Sequence, residues 1–561
     1  MSSPFFRNKA ERFLGENGLR LEDLDVYCVI ENEEGHILAG AGIRQDIIKC
    51  IAVAEEARSE GLVAPLVSHL ISLAASRGIS ELKLFTKPGN QAIFESLGFH
   101  VLASAPQAIL MENGRGLERY CAYLRSLRKE GRCGVVVMNA NPFTLGHRYL
   151  LEQAAAQVDT LFVIPVKEEG QCFSYDERRA MIESAAKNQF SAAGHVVVLK
   201  GSAYQISAAI FPTYFLKDLS DSAETHIRLD LDLFQRHIAP ALNAEVRFVG
   251  TEPYDALTNQ YNTIMKELLP EVVEIPRLTS SDGEYDAISA SAVRQALAEG
   301  HYSEASALCP ETTHPYLLAA LADRALRMEL DLPGKPGLVC PDSCGAHKDM
   351  DYGTMLRGIE ALRPFWSRMA QAASAHELRQ LGIDAEEAML AATGGVNTHR
   401  GAIFCMGLAL NARGNSGRMA DLAEQICGEN HSAGARSMAL SGYRQLFEDW
   451  LPYLNGDTLA PEGLGMTSDV IPSEASESPE RLIKTLLRIM STLDDTCVVK
   501  RVGYDRAQQV KQEAESILDK TYFSSDNPLH ELCDRYAAEG ISPGGAADML
   551  ALTIFIHSII S

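Results

Sequence analysis

The chain has 561 residues and carries 51 Lys plus Arg against 74 Asp plus Glu, a net charge of −23. That acid excess argues against a nucleic-acid scaffold and against a protein that coats an anionic membrane, while leaving room for local basic pockets. The length points to three or four domains, each able to bury its own core. No apolar run reaches the roughly 18 residues of a membrane span, and the longest, near Ile403–Leu410 and Met549–Ile560, fit buried helices. Met1 to Leu14 lacks the apolar core of a signal peptide. The 12 cysteines are scattered. The tightest pair, Cys340 and Cys344, has no second pair at zinc-finger spacing, so reduced thiols in a cytoplasmic protein are expected.

Residues 1 to about 130 read as mixed α/β. Tyr27 to Ile30 and Ile37 to Gly42 form strands around the turn at Asn32–Gly35, and a third strand spans Ile47 to Val53. A helix from about Leu62 to Arg77, a strand at Glu81 to Thr86 and a helix at Asn90 to Leu97 follow. This order, with Asn90-Gln91-Ala92-Ile93-Phe94-Glu95-Ser96-Leu97-Gly98-Phe99, resembles a GNAT-type acetyltransferase. The acetyl-CoA loop of that fold reads Q/R-x-x-G-x-G/A. Arg58 and Gly61 fit it, but Val63 stands where a small residue belongs, and a β-branched side chain crowds a pyrophosphate there. CoA recognition and a structural module both stay open, and transfer to an amine is not expected.

Residues 131 to 308 alternate strand and helix patterns, with strands at Gly134–Met138, Thr160–Val166, His195–Leu199, Glu245–Gly250 and Val272–Ile275. That alternation predicts a doubly wound parallel sheet whose ligand lies at the carboxyl ends of the strands. The first strand runs into Asn139-Ala140-Asn141-Pro142-Phe143-Thr144-Leu145-Gly146-His147 and then a helix. A helix N-terminus presents free N–H groups and a positive dipole end to a phosphate. Thr144 and His147, spaced around the small Gly146, place a hydroxyl and an imidazole beside it, although His147 can also serve merely as a cap. The pattern T-x-G-H resembles the H-x-G-H signature of nucleotidyltransferases. Arg178, within Phe173-Ser174-Tyr175-Asp176-Glu177-Arg178, belongs to the same set, as do Asn141 and Phe143. Ile288-Ser289-Ala290-Ser291-Ala292-Val293-Arg294 resembles the I-S-x-S/T…R element that holds phosphates in that superfamily. Ser289 or Ser291 can equally cap a helix. Lys167 and Thr251-Glu252-Pro253-Tyr254 lie at the same strand ends.

After a polar break at Glu311-Thr312-Thr313 the chain changes to long helical patterns rich in Ala, Leu and Met, expected to form an all-α domain over 313–561. The chemistry sits in the interruptions: Lys335-Pro336-Gly337-Leu338-Val339, Gly345-Ala346-His347-Lys348-Asp349-Met350, Thr393-Gly394-Gly395-Val396-Asn397-Thr398-His399-Arg400-Gly401, Asp494-Asp495-Thr496 and Ser542-Pro543-Gly544-Gly545-Ala546-Ala547-Asp548. Each is a cap or turn taken alone. Acidic helix ends that converge on one cleft would suit Mg²⁺.

Taken together, residues 1 to 308 resemble citrate lyase ligase and residues 313 to 561 resemble triphosphoribosyl-dephospho-CoA synthase, so the chain looks like a fusion of two maturation enzymes of citrate lyase. Cys340 departs from the synthase pattern, which has Asp after K-P-G-L-V, and Arg501-Val502-Gly503 replaces a glycine pair. The resemblance implies that Thr144, His147, Arg178, Ser289, Ser291 and Arg294 act on ATP while acetate is activated as acetyl-adenylate. The acceptor would be the prosthetic thiol of the lyase's acyl carrier subunit. It further implies transfer of triphosphoribose from ATP to dephospho-CoA with loss of adenine. Asp349 and Asp495 would be catalytic there, Asp349, Asp495 and Asp548 would hold Mg²⁺, and Lys335, Gly394, Gly395, His399, Arg400, Gly544 and Gly545 would lie on phosphate. Two alternatives stay open: an adenylyltransferase with a dinucleotide product, and an inactive docking scaffold.

Overall fold

The computed structural model describes residues 4–168, 170–189, 195–205, 219–252, 255–278, 288–428, 434–456, 477–518 and 528–560. They fall into two compact units, Met1–Ile288 and Ser289–Ser561. The division precedes the polar break at Glu311-Thr312-Thr313 by two helices, at Ala290–Glu299 and Tyr302–Ala307.

The first unit contains two sheets. Strands β1 (Val26–Glu31), β2 (Ile37–Arg44), β3 (Ile47–Val53), β4 (Leu82–Thr86), β5 (Phe99–Ser104) and β6 (Ile109–Asn113) are ordered β1-β2-β3-β4-β6-β5. All neighbours are antiparallel except the short parallel pairing of β3 with β4. Helices α1 (Pro4–Glu16), α2 (Val63–Ser76), α3 (Gln91–Glu95) and α4 (Gly116–Ser126) accompany it. Leu66, Val67, Leu70 and Ala74 share one face of α2 and bury it against β2, β3 and β4, as helical spacing requires. Strands near 27–30, 37–42, 47–53 and 81–86 match the sequence reading to within two residues or so, whereas α1, β5 and β6 were not foreseen.

The second sheet is wholly parallel, in the order β11-β10-β7-β8-β9. Its strands are β7 (Cys133–Met138), β8 (Thr160–Pro165), β9 (His195–Val198), β10 (Ala244–Gly250) and β11 (Val272–Ile275). Helices α5 (Leu145–Ala155), α6 (Tyr175–Gln189), α7 (Leu219–Leu233), α8 (Ala239–Leu242) and α9 (Ala256–Leu268) lie between the strands. The order reverses direction between β7 and β10, and the crevice at such a switch point is where parallel sheets bind ligands. Both sheets share one apolar cluster, in which Phe85, Leu102 and Leu110 meet Val135, Phe162 and Ile164.

The described part of the second unit is helical apart from one isolated bridge, Cys340 to Ser343. It begins with α10 (Ala290–Glu299), α11 (Tyr302–Ala307), α12 (His314–Asp331), α13 (Tyr352–Gln371) and α14 (Ala375–Ala392). Next come α15 (Arg400–Ala412), α16 (Ser416–Cys427), α17 (Ala435–Leu440) and α18 (Leu451–Asn455). The last are α19 (Pro479–Thr492), α20 (Thr496–Val502), α21 (Tyr504–Ile517), α22 (Pro528–Glu539) and α23 (Gly544–Ile560). α23 buries residues on every side, from Ala546 to Ser558, and packs on α12, α15 and α19. A helix apolar all round belongs in a core. No described helix is long and apolar enough to cross a membrane.

Candidate active sites

In the first unit, the loop after β7 delivers the chain into α5. Thr144 is the N-cap: its hydroxyl accepts the His147 N–H at 3.4 Å, while the Thr144 N–H donates to His147 Nδ1 at 3.1 Å. This reciprocal capping box fixes the imidazole at the helix start. Thr144 Oγ1 also lies 2.9 Å from Nδ1, and Phe143, fully buried, stacks on the ring with centroids 5.8 Å apart. Because Nδ1 accepts a backbone N–H, the neutral ring carries its proton on Nε2. Burial, aided by the charge of Arg277, holds the ring's pKa down to about 4, so it is neutral at physiological pH. The capping role weighed from the sequence is therefore present, and it turns the ring into a fixed Nε2–H donor.

Gly146 is small for a local reason: a Cβ there would meet the Ile288 carbonyl at 3.3 Å. Asn141 is buried and ties the loop to the segment before α6, donating to Gln171 Oε1 at 2.7 Å and accepting the Phe173 N–H at 3.0 Å. Arg178, expected on phosphate, is fully buried and donates to the carbonyls of Phe173 (3.1 Å), Asn139 (2.8 Å), Val166 (2.9 Å) and Glu168 (2.8 Å), and to Asn139 Oδ1 at 2.6 Å. Its fork thus braces the loops after β7 and β8. Lys167 is exposed. Arg277, which the sequence reading missed, follows β11, pairs with Glu252 at 2.7 Å and donates its N–H to Thr251 Oγ1 at 3.0 Å. No motif marks it, and only the sheet order brings it beside the β7 loop. Pro253 and Tyr254 lie outside the described residues.

Ser289, Ser291 and Arg294 open α10, which groups with the second unit. Ser289 caps α10 by accepting the Ala292 N–H at 3.1 Å, and Arg294 Nη2 donates to Ser291 Oγ at 3.1 Å.

In the second unit, a cavity of about 800 Å³ opens among α14, α15, α17, α20 and α23. Asp495, Asp548, Gly401 and Gly545 line it, with Arg379, Glu386, Arg400, Arg436, Asp494 and Lys500 around them. Asp495 is the N-cap of α20 and accepts the N–H groups of Cys497 at 2.8 Å and Val498 at 3.4 Å. Its other oxygen accepts the Ala546 N–H at 3.0 Å from the first turn of α23. Burial raises its pKa and these N–H groups oppose the rise. Gly545 must lack a side chain, since a Cβ would stand 2.9 Å from Asp495 Oδ1. Gly401 is as constrained, because a Cβ would fall 1.8 Å from Asp548 Oδ2. Burial, with Glu329 and Asp495 nearby, holds the Asp548 carboxyl well above the usual range.

Several residues expected on phosphate or metal serve otherwise. Lys335 is buried, with Nζ 2.5 Å from both Oε1 and the carbonyl of Glu329. A buried cation so paired is committed to its partner. His399 is buried behind the cavity with Nδ1 2.8 Å from Thr398 Oγ1, and burial beside Lys335 brings its pKa down to about 4. Arg400 forms an ion pair with Glu386. Gly394 and Gly395 take left-handed φ values of 68° and 90° to end α14, where the Gly395 N–H donates to the Leu390 carbonyl at 2.7 Å. Gly544 opens α23 beside Cys497. Asp349 is exposed, lies 3.8 Å from His347 Nδ1 and does not line the cavity. The expected trio Asp349, Asp495 and Asp548 is therefore not assembled: among the described residues no group of three or more His, Cys, Asp or Glu is placed to hold a metal ion. Glu329, Arg379, Arg436 and Lys500 were missed, because single charged residues on helices carry no motif.

Comparison with known proteins finds two families along the chain. Residues 133–317 match the family described as citrate lyase ligase C-terminal domain, and residues 315–428 and 416–561 match ATP:dephospho-CoA triphosphoribosyl transferase. The [citrate [pro-3S]-lyase] ligase of Klebsiella pneumoniae is 43% identical over 324 residues, 56% of this chain and 92% of that protein. The ligase of the same name from Haemophilus influenzae is 39% identical over 320 residues, 55% of this chain and 93% of that protein. A "Probable 2-(5''-triphosphoribosyl)-3'-dephosphocoenzyme-A synthase" of Pseudomonas putida is 36% identical over 274 residues, 43% of this chain and 93% of that protein.

Proposed function

Because this chain belongs to the citrate lyase ligase family over its first part and to the triphosphoribosyl-dephospho-CoA synthase family over its second, we propose that it carries out two steps in the maturation of citrate lyase. The observation that carries this reading is that near-complete relatives of both enzymes align end to end along one polypeptide. One step acetylates the prosthetic thiol of the lyase's acyl carrier protein at the expense of ATP. The other makes triphosphoribosyl-dephospho-CoA from ATP and dephospho-CoA, releasing adenine. Both are reactions of a cytoplasmic enzyme.

In the ligase half, acetate attacks the α-phosphorus of ATP to give acetyl-adenylate and pyrophosphate, and the carrier thiol then attacks the acetyl carbonyl, forming the thioester and releasing AMP. His147, neutral and fixed through Nδ1, offers its Nε2–H to the phosphate as charge develops, beside the N-terminus of α5 and the positive charge of Arg277. Arg178 and Asn141 hold the loop that positions it. A phosphate-binding role for Ser289, Ser291 and Arg294 rests on their motif. The division into a GNAT-like module over 1–130, a nucleotidyltransferase over 131–308 and a helical synthase over 313–561 is part of this reading. The antiparallel sheet joined by a single parallel pair supports the first of these, and Val63, packed onto the core of that sheet, supports a structural role for it.

In the synthase half, the cavity bordered by Asp495 and Asp548 is the reaction site, and carboxylates there stabilise the positive character that the ribose gains as adenine leaves. The resemblance implies Mg²⁺, but the described residues do not form a cage for it, so no step is assigned to a protein-held metal. Supplying the full chain with ATP and dephospho-CoA, or with ATP, acetate and thiol-bearing carrier protein, tests each half. Adenine reports the first and acetate-dependent pyrophosphate the second.

A further inference from the structure

The helical cavity contains a charge pattern that the sequence motifs do not explain. Arg379 on α14, Arg436 on α17 and Lys500 on α20 all line it, and none of them forms an ion pair among the described residues. The anions nearby are already engaged. Glu386 pairs with Arg400, Asp494 pairs with Lys511 at 2.5 Å, and Asp495 accepts backbone N–H groups from two helices. In a chain with 74 acidic against 51 basic residues, three exposed cations gathered from separate helices around one cavity make it suited to an anion from outside the protein. Of the charged residues first expected on phosphate, Lys335 is buried against Glu329, His399 is neutral and Arg400 pairs with Glu386.

We propose that Arg379, Arg436 and Lys500 form the seat for a polyphosphate chain, that of the ATP triphosphate, and so select ATP over shorter nucleotides in the adenine-releasing reaction. The proposal rests on the synthase reading given above. Guanidinium and ammonium groups contributed by separate helices suit an extended run of phosphates better than a single phosphate. The floor at Asp495 and Asp548 is then left to the ribose. Dephospho-CoA carries a diphosphate with the same chemistry, so the two sources have to be separated by experiment.

The test uses the full chain bearing Arg379→Gln, Arg436→Gln and Lys500→Gln together, with adenine release measured against ATP, ADP and AMP and against dephospho-CoA. Each lost charge-assisted contact is worth about tenfold in affinity, so KM for ATP should rise by roughly tenfold or more and the preference for ATP over AMP should collapse. KM for dephospho-CoA should hold, as should acetate-dependent pyrophosphate release by the other half. Tripolyphosphate should compete with ATP in the unaltered protein and lose that effect in the variant. An unchanged KM for ATP overturns the proposal, as does a rise confined to dephospho-CoA, which would give the cations to the other substrate. Absence of adenine release from the unaltered chain instead refutes the synthase reading itself, and tripolyphosphate binding by calorimetry then still decides whether the seat exists.

Discussion

Asp495 accepts the Ala546 N–H at 3.0 Å while capping α20 through Cys497 and Val498, so one carboxylate ties the first turns of α20 and α23 together. This junction forms one wall of the helical cavity. Asp495→Asn keeps the shape but turns an NH₂ toward a backbone N–H. Loss of one of the two acceptors, the α20 cap or the link to Ala546, should cost about 1–3 kcal/mol. Adenine release should fall along with the melting temperature of the full chain. A variant as stable as the parent would mean that the junction does not depend on the carboxylate.

His147→Ala should lower acetate-dependent pyrophosphate release by roughly a hundredfold or more, the usual effect of removing one positioned donor to a developing charge. Adenine release should be untouched, because His147 belongs to the first unit. Steady-state assays of both products on one preparation check this. Equal losses in both would point to misfolding, and no loss would leave His147 as a cap only.

Gly401→Ala is the matching change in the other half. Its Cβ would sit 1.8 Å from Asp548 Oδ2, so the Asp548 carboxyl has to leave its present position. Adenine release should drop by an order of magnitude or more with pyrophosphate release unchanged. Retained synthase activity would show that Asp548 is not needed in its present position.

Arg178→Lys should destabilise the β7 and β8 loops, since an ammonium cannot reproduce the planar fork now shared among four carbonyls and an amide oxygen. The expected cost is roughly 2–4 kcal/mol. Hydrogen exchange should quicken at residues 139–141 and 166–168, and the ligase kcat should fall. If Arg178 instead contacted phosphate alone, KM for ATP would rise with no change in exchange.

The folded chain resists protonation of His399, whose pKa of about 4 lies below the ordinary 6.5. The unfolded chain takes that proton first. The associated stability is complete above pH 6.5 and is lost as the pH falls toward 4. His399→Gln should therefore flatten the fall in melting temperature across that window. An unchanged slope would show that the ring is solvated.

The sequence revealed the strand–loop–helix at Thr144 and His147 because a period change, a cap residue and a small residue coincide there. It also revealed the parallel sheet, whose strands are short apolar runs between helical patterns. β5 and β6 escaped notice because Val101-Leu102-Ala103 and Ile109-Leu110-Met111 are too short for periodicity to separate strand from helix. The acidic helix ends pointed to a metal, yet Asp495 turned out to cap a helix and Asp349 to face outward, since spacing along the chain does not say which ends converge. Lys335 looked like a phosphate ligand because its partner, Glu329, is six residues upstream within an apolar helical pattern. Arg277 and the three cavity cations have no local signature, and only tertiary packing identifies them.

One polypeptide performs two separable ATP reactions. Mass spectrometry of products from the unaltered chain, His147→Ala and Gly401→Ala tests it most directly, with ATP, acetate, dephospho-CoA and thiol-bearing carrier protein present together. The account predicts that the unaltered chain yields AMP, pyrophosphate, adenine and triphosphoribosyl-dephospho-CoA. His147→Ala should lose only the first pair and Gly401→Ala only the second. Either pair missing from the unaltered chain, or both pairs lost together in a folded variant, would contradict it.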